Sequence, residues 1–164
     1  MKLSLLFTVL LFLGSHLSFS QCISVKGLRS LFFKDMAAQD AYMAAKGYKV
    51  QEKFRGRGTI WANKAYETAA VSLNEDGKVI IVSYDPPTQP CFAAIKSEVV
   101  SMGMKKDKVI SGENFIYTYF SNSSFGVEIY KFSGPTEDTY HVTLLSKTEY
   151  LEQMDLVARK RQQE

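Results

Sequence analysis

The chain has 164 residues, with 20 Lys and Arg against 17 Asp and Glu and a formal charge of +3. That near-balance supplies none of the concentrated positive field that nucleic-acid binding draws on, so no nucleic-acid partner is expected. With 46% hydrophobic residues but only two Cys and two His, the composition is that of a globular domain poor in the soft and imidazole metal ligands.

At the N-terminus, Lys2 precedes an almost wholly apolar run over 3–13, and Ser18-Phe19-Ser20 sets small residues where a signal peptidase reads. The run is roughly 11 residues where a membrane span needs about 20, so 1–20 is expected to be a signal peptide removed before Gln21. Lipidation of Cys22 is disfavoured by Gln21 before it and Phe19 three before it. Removal leaves 21–164, 144 residues, and takes away only Lys2 among the charged groups, so the formal charge falls to +2. The product is expected in the periplasm or secreted, without stable membrane insertion, because no other segment is long and apolar enough to span.

Export places Cys22 and Cys91 in an oxidising compartment, where a lone pair of thiols tends to join. A Cys22–Cys91 disulfide would tie the N-terminus to the start of a later helix. It would close a loop of about 70 residues and stabilise by about 3 to 4 kcal/mol in the chain-entropy picture.

The first unit, 28–85, opens with a helical region over 30–46, in which Met36, Met43 and intervening alanines form a stripe and Asp35 can cap the second half. Gly47 ends it. Strands are predicted at 48–54, 59–62, 68–73 and 78–84, the last two joined by Asn74-Glu75-Asp76-Gly77, and Asp85-Pro86-Pro87 stops the sheet. The second unit, 88–147, repeats the order. Thr88 or Gln89 caps a helix with Pro90 in its first turn, Phe92, Ile95, Val99 and Met102 supply its buried stripe, and Gly103 closes it. Strands follow at 114–120, 126–132 and 139–146.

Met43-Ala44-Ala45-Lys46-Gly47-Tyr48 and Val99-Val100-Ser101-Met102-Gly103-Met104 lie 56 residues apart, and Gly47 to Trp61 and Gly103 to Tyr117 both span 14 residues. These spacings predict a duplication. The expected fold is α+β: one domain over 21–147 made of two tandem helix-plus-three-strand units, sharing an antiparallel sheet with the helices on one face. The tail, 148–164, reads as a peripheral helix, with Ser146 and Glu149 as a capping box and Tyr150, Met154 and Val157 at helical spacing.

Lys46-Gly47-Tyr48, Thr59-Ile60-Trp61-Ala62 and Gly103-Met104 carry a resemblance: the chain is similar to small exported proteins of unknown function common in the Bacteroidota, over most of 21–147. The resemblance implies no activity. The paired arrangement is also similar to that of beta-lactamase inhibitory proteins, which bind an enzyme with the concave face of a sheet, an analogy of architecture alone.

The chemistry is mostly negative. His16 falls in the signal, so His141 is the one histidine left to act as a base or metal ligand; it alternates with Tyr140 and Val142 and reads as an ordinary sheet position. No metal and no cofactor are expected. Arg55-Gly56-Arg57-Gly58 could cradle an anion but reads more simply as a solvated turn. Glu113 and Glu128 lack a spacing that places them as paired acids, and Asn122-Ser123-Ser124 is a formal glycosylation sequon. The expected function is therefore an exported, non-catalytic binding module for an envelope or extracellular protein, with an extracytoplasmic hydrolase as the alternative; an exposed aromatic patch without convergent polar groups would favour the first, a deep pocket holding His141 and a carboxylate the second. Its recognition surface would be the sheet face left uncovered by helices, with Trp61, Tyr84, Tyr117, Tyr119 and Tyr130 as candidates and Arg55 and Arg57 beside them.

Overall fold

The computed structural model describes residues 22–64 and 67–160; the expected signal peptide lies outside them, as do the last four residues of the tail. The predicted helical region over 30–46 resolves into a 3₁₀ turn and a helix, and another helix precedes it. Helix α1, Val25–Ser30, starts where the Ser24 hydroxyl accepts from Gly27 N, and the Glu98 carboxylate accepts from Val25 N at 2.7 Å and Lys26 N at 3.0 Å. After a 3₁₀ turn at Leu31–Phe33 the chain extends through Lys34. Asp35 then caps α2, Met36–Ala45, by accepting from Ala38 N, and Gly47 ends it at φ +86°. Helix α3, Gln89–Ser101, follows the predicted cap at Thr88 with Pro90 in its first turn.

Strands β1 (Lys49–Phe54), β2 (Gly58–Ala62), β3 (Thr68–Leu73) and β4 (Val79–Tyr84) form one meander, and β5 (Lys105–Ser111), β6 (Phe115–Ser121), β7 (Phe125–Ser133) and β8 (Asp138–Ser146) form another. The order β1-β2-β3-β4-β8-β7-β6-β5 makes one eight-stranded antiparallel sheet, in which the last strand of each meander pairs with the other. The fold is α+β, as expected; the first unit holds the four strands predicted for it, and the second holds four where three were predicted. The missed strand is β5, whose Lys105-Lys106-Asp107-Lys108 start shows no apolar alternation because β5 is an edge. Edges are commonly charged and bulged, which deters pairing with another chain. The opposite edge, β1, is exposed along its whole length.

The duplication extends to a structural irregularity. The β1–β2 register shifts between Val50 and Glu52, and the β5–β6 register shifts between Lys106 and Lys108, so the extra residue stands four positions after Gly47 in one unit and four after Gly103 in the other. Register also corrects the 14-residue correspondence. Val50 pairs with Trp61 and Lys106 with Phe120, so Phe120, not Tyr117, is the equivalent of Trp61. The β5–β6 hairpin runs one rung further, to Ser111 opposite Ile116, before it turns.

Helices α1 to α3 cover one sheet face. Leu28, Leu31, Met43, Ile95 and Val99 pack there against Trp61, Val82, Val127, Val142 and Leu144, all essentially without exposure. The sulfurs of Cys22 and Cys91 lie at bonding distance, with Cα atoms 5.6 Å apart, which fixes the N-terminus beside α3. Helix α4, Lys147–Lys160, crosses to the other face, where Tyr150 packs with Tyr119 and Leu145 over part of the second unit. No helix among the described residues is long and apolar enough to span a membrane.

Candidate functional site

Side chains alternate across a strand, so the residues that face α1–α3 fix which ones face away. In β8, Val142 and Leu144 are in the covered core, which turns His141, Thr143 and Leu145 to the open face; in β7, Val127 and Ile129 do the same for Glu128 and Tyr130. Chain order at the end of β4 adds an acid. Pro86 lacks the N–H that a further rung needs, and Asp85, its N donating to Thr68 O at 3.0 Å, ends the strand with its side chain on the open face.

Register then assembles a row across four neighbouring strands. Asp85 stands beside His141, His141 pairs with Tyr130 and Tyr130 with Tyr117. One rung along, Thr143 pairs with Glu128 and Glu128 with Tyr119. Asp85, His141, Tyr130, Tyr117 and Glu128 line a concavity of about 370 Å³ on the open face. Thr139 and Tyr140 complete its wall.

Its polar groups are interlocked. His141 Nδ1 lies 2.5 Å from Asp85 Oδ1, and the Thr68 hydroxyl donates to Asp85 Oδ2. Burial raises the Asp85 carboxyl, but the hydrogen bonds from His141 and Thr68 and the charge of His141 outweigh it, leaving the group below its ordinary 3.8. An ionised Asp85 accepts, so Nδ1 carries a proton. Glu128 is only 9% exposed. Burial pushes its carboxyl above the usual 4.5, opposed by hydrogen bonds from Tyr119 and from Gln153 of α4, 2.5 Å away, and by the charge of His141. The Tyr117 and Tyr130 rings touch at 4.4 Å with planes 32° apart. Lys131, which shares the parity of Ile129 and so faces away from the concavity, is engaged by Asp138 at 2.8 Å.

Of the seven predicted surface residues, two reach this place: Tyr117 and Tyr130. Tyr119 lies on the same face but under α4, 4% exposed. Trp61 and Tyr84 are at 0% on the covered face: Trp61 donates from Nε1 to Asp40 of α2, and the Tyr84 hydroxyl accepts from Ile23 N. They are core, because Trp61 pairs with the covered Ala69 and Tyr84 shares the parity of Val82. Arg55 and Arg57 lie exposed in the β1–β2 turn at the far edge of the sheet, remote from the concavity in strand order. Glu113 sits exposed in the β5–β6 turn, apart from Glu128. The Asn122 side chain serves its own turn, accepting from Ser124 N and Phe125 N.

The sequence reading sets His141 aside as an ordinary sheet position and gives Asp85 only the role of stopping a strand. The signal was present: an apolar Tyr140-x-Val142-x-Leu144 alternation turns His141 away from the core. Asp85 joins it only through the β4–β8 pairing. Among the described residues no group of three or more His, Cys, Asp or Glu is placed to hold a metal ion. The arrangement can hydrogen-bond a polar ligand against aromatic rings, and it holds an imidazole oriented through Nδ1 by Asp85. Compared with protein-family models, with curated proteins and with solved structures, the chain matches none.

Proposed function

We propose that this protein is an exported, non-catalytic binding module that recognises an envelope or extracellular component through the open face of its sheet. The observation that carries the reading is the concavity itself: two tyrosine rings in contact stand among hydrogen-bonding side chains on a rigid sheet, and no serine or cysteine lines it. Rigid aromatic anchors with a few convergent polar groups are what recognition sites are built from. Export rests on the signal-like segment 1–20 and accords with the Cys22–Cys91 pair.

The test is retention of partners from the cell's own envelope and medium fractions on immobilised wild type and on Tyr130→Ala, with folding compared by circular dichroism. A partner held by the wild type and weakened at least about tenfold in the folded variant is the expected result. Equal retention by both would move the recognition surface elsewhere.

A hydrolase is the second reading, favoured by the His141–Asp85–Thr68 chain. An imidazole held through Nδ1 by an ionised carboxylate can take a proton from water at Nε2. Turnover of an envelope component by the wild type that disappears in folded His141→Ala would select this reading; partner retention without turnover selects the first.

A further inference from the structure

Resting on the binding role proposed above, we infer that the concavity takes a neutral saccharide, a pyranose unit either free or at the end of a glycan. Its walls exclude the other ligand classes in turn. An anion would meet two carboxylates, Asp85 and Glu128, with no Lys or Arg lining the cavity. A hydrocarbon ligand would strip water from hydrogen-bonding groups on every side, because all the lining side chains carry a hydroxyl, a carboxylate or an imidazole.

A cation is the closer competitor, and the hydrogen bonds decide against it. Each carboxylate already receives two donors, Asp85 from His141 and Thr68, and Glu128 from Gln153 and Tyr119. Neither stands as a bare charge awaiting a counter-ion. A carboxylate offers about four lone-pair sites, so each of these keeps acceptor capacity for the hydroxyl groups of a neutral ligand. His141 Nε2 accepts on a neutral ring and donates on a protonated one, and the hydroxyls of Tyr117, Tyr130 and Thr139 can both donate and accept.

A pyranose matches this mixture because it has both characters at once. Its ring C–H groups form apolar patches that pack on aromatic faces, here Tyr117 and Tyr130, and its hydroxyls point outward to acceptors and donors. The volume of about 370 Å³ sits at the small end of the 300–1,000 Å³ range of small-molecule sites, room for one or two sugar rings. The site is also open enough for a glycan end: the side chains of His141 and Asp85 remain 38% and 44% exposed.

The purified protein is titrated with the methyl glycosides of glucose, galactose, mannose and N-acetylglucosamine and with cellobiose and lactose. n-Butylammonium and inorganic phosphate are run as charged controls. Binding is read from ligand-observed NMR saturation transfer and from shifts of the His141 imidazole signals. The expected result is saturable binding of at least one glycoside in the millimolar range, weakened at least about tenfold in Tyr130→Ala. In Tyr130→Phe, which keeps the ring and the fold, binding falls by less than about threefold. Glycoside binding unchanged in Tyr130→Ala would overturn the assignment, as would saturable butylammonium or phosphate binding with none of the sugars binding. If no glycoside binds while an envelope partner is still retained in a Tyr130-dependent way, the saccharide assignment falls and the binding role stands. If neither a glycoside nor a partner is held, both fall.

Discussion

Gly126 of β7 lies under α4, and an added Cβ there would stand 1.9 Å from Tyr150 Cδ2 and 2.2 Å from Cγ. No real structure tolerates such contacts, so Gly126→Ala must push the helix off its seat. Gly126 is not among the glycines with positive φ, and alanine removes about 0.5–1 kcal/mol of glycine's excess chain entropy; without the clash the substitution would stabilise the strand. Against that gain stands the seat of Tyr150, 2% exposed, packed with Tyr119 and Leu145, its hydroxyl donating to Asp107 at 2.8 Å. Overpacking costs about 1–3 kcal/mol, and losing a buried aromatic altogether costs about 3–5. We expect a net destabilisation of about 2–3 kcal/mol, a Tm lower by about 5–10 °C for a domain of this size. The assay is thermal unfolding combined with limited trypsinolysis, because Lys147 and Arg159 lie in α4 and become cleavable when it lifts. The same substitution in a Tyr150→Ala background should be neutral or mildly stabilising. An equal loss in both backgrounds would refute the reasoning and put the defect in the strand.

Three further outcomes follow from the same coordinates. The Glu128 carboxyl is held above its ordinary 4.5, so its contribution to stability is full below that value and is lost as pH rises through the folded-state value; Glu128→Gln should therefore gain stability relative to wild type as pH rises above 4.5, measured by urea unfolding, and a difference that runs the other way would contradict the burial argument. Cys91→Ser opens a loop of sequence separation 69 and should lower stability by up to about 4 kcal/mol, with no free thiol detectable in the denatured, unreduced wild type. Trp61→Ala should destabilise by about 3–5 kcal/mol, in keeping with its zero exposure, while Trp61→Phe, which keeps most of the packing, should leave partner retention unchanged; a folded Trp61→Phe that loses its partner would return Trp61 to the recognition surface.

The elements that rest on short-range chemistry were legible in the sequence. Thr88 with Pro90, Asp35, Gly47, Gly103 and the Asn74–Gly77 turn each act within a few residues, and each does in the structure what its type predicts. What was not legible depends on a neighbouring strand. β5 hides because an edge strand with charged residues and a bulge carries no period-2 signal, although its counterpart β1 is similarly exposed and was found beside Gly47. Trp61 and Tyr84 were taken for surface because aromaticity says nothing about parity; only the partners Ala69 and the covered Val82 decide which way they point.

The concavity depends on register most of all. Residues 85, 117, 130 and 141 meet because β4 pairs with β8, β8 with β7 and β7 with β6 in one particular alignment. Slipping any of these pairings by one residue would turn a whole strand's side chains to the other face. It would bury His141 or Glu128 against α1–α3 and bring Val142 or Ile129 out to solvent. The apolar set that fills the core on one face is thus what holds the polar and aromatic set in line on the other. Here stability and the candidate site are two readings of the same alternation, and Glu128, roofed by Tyr119 and by Gln153 of α4, is where they meet.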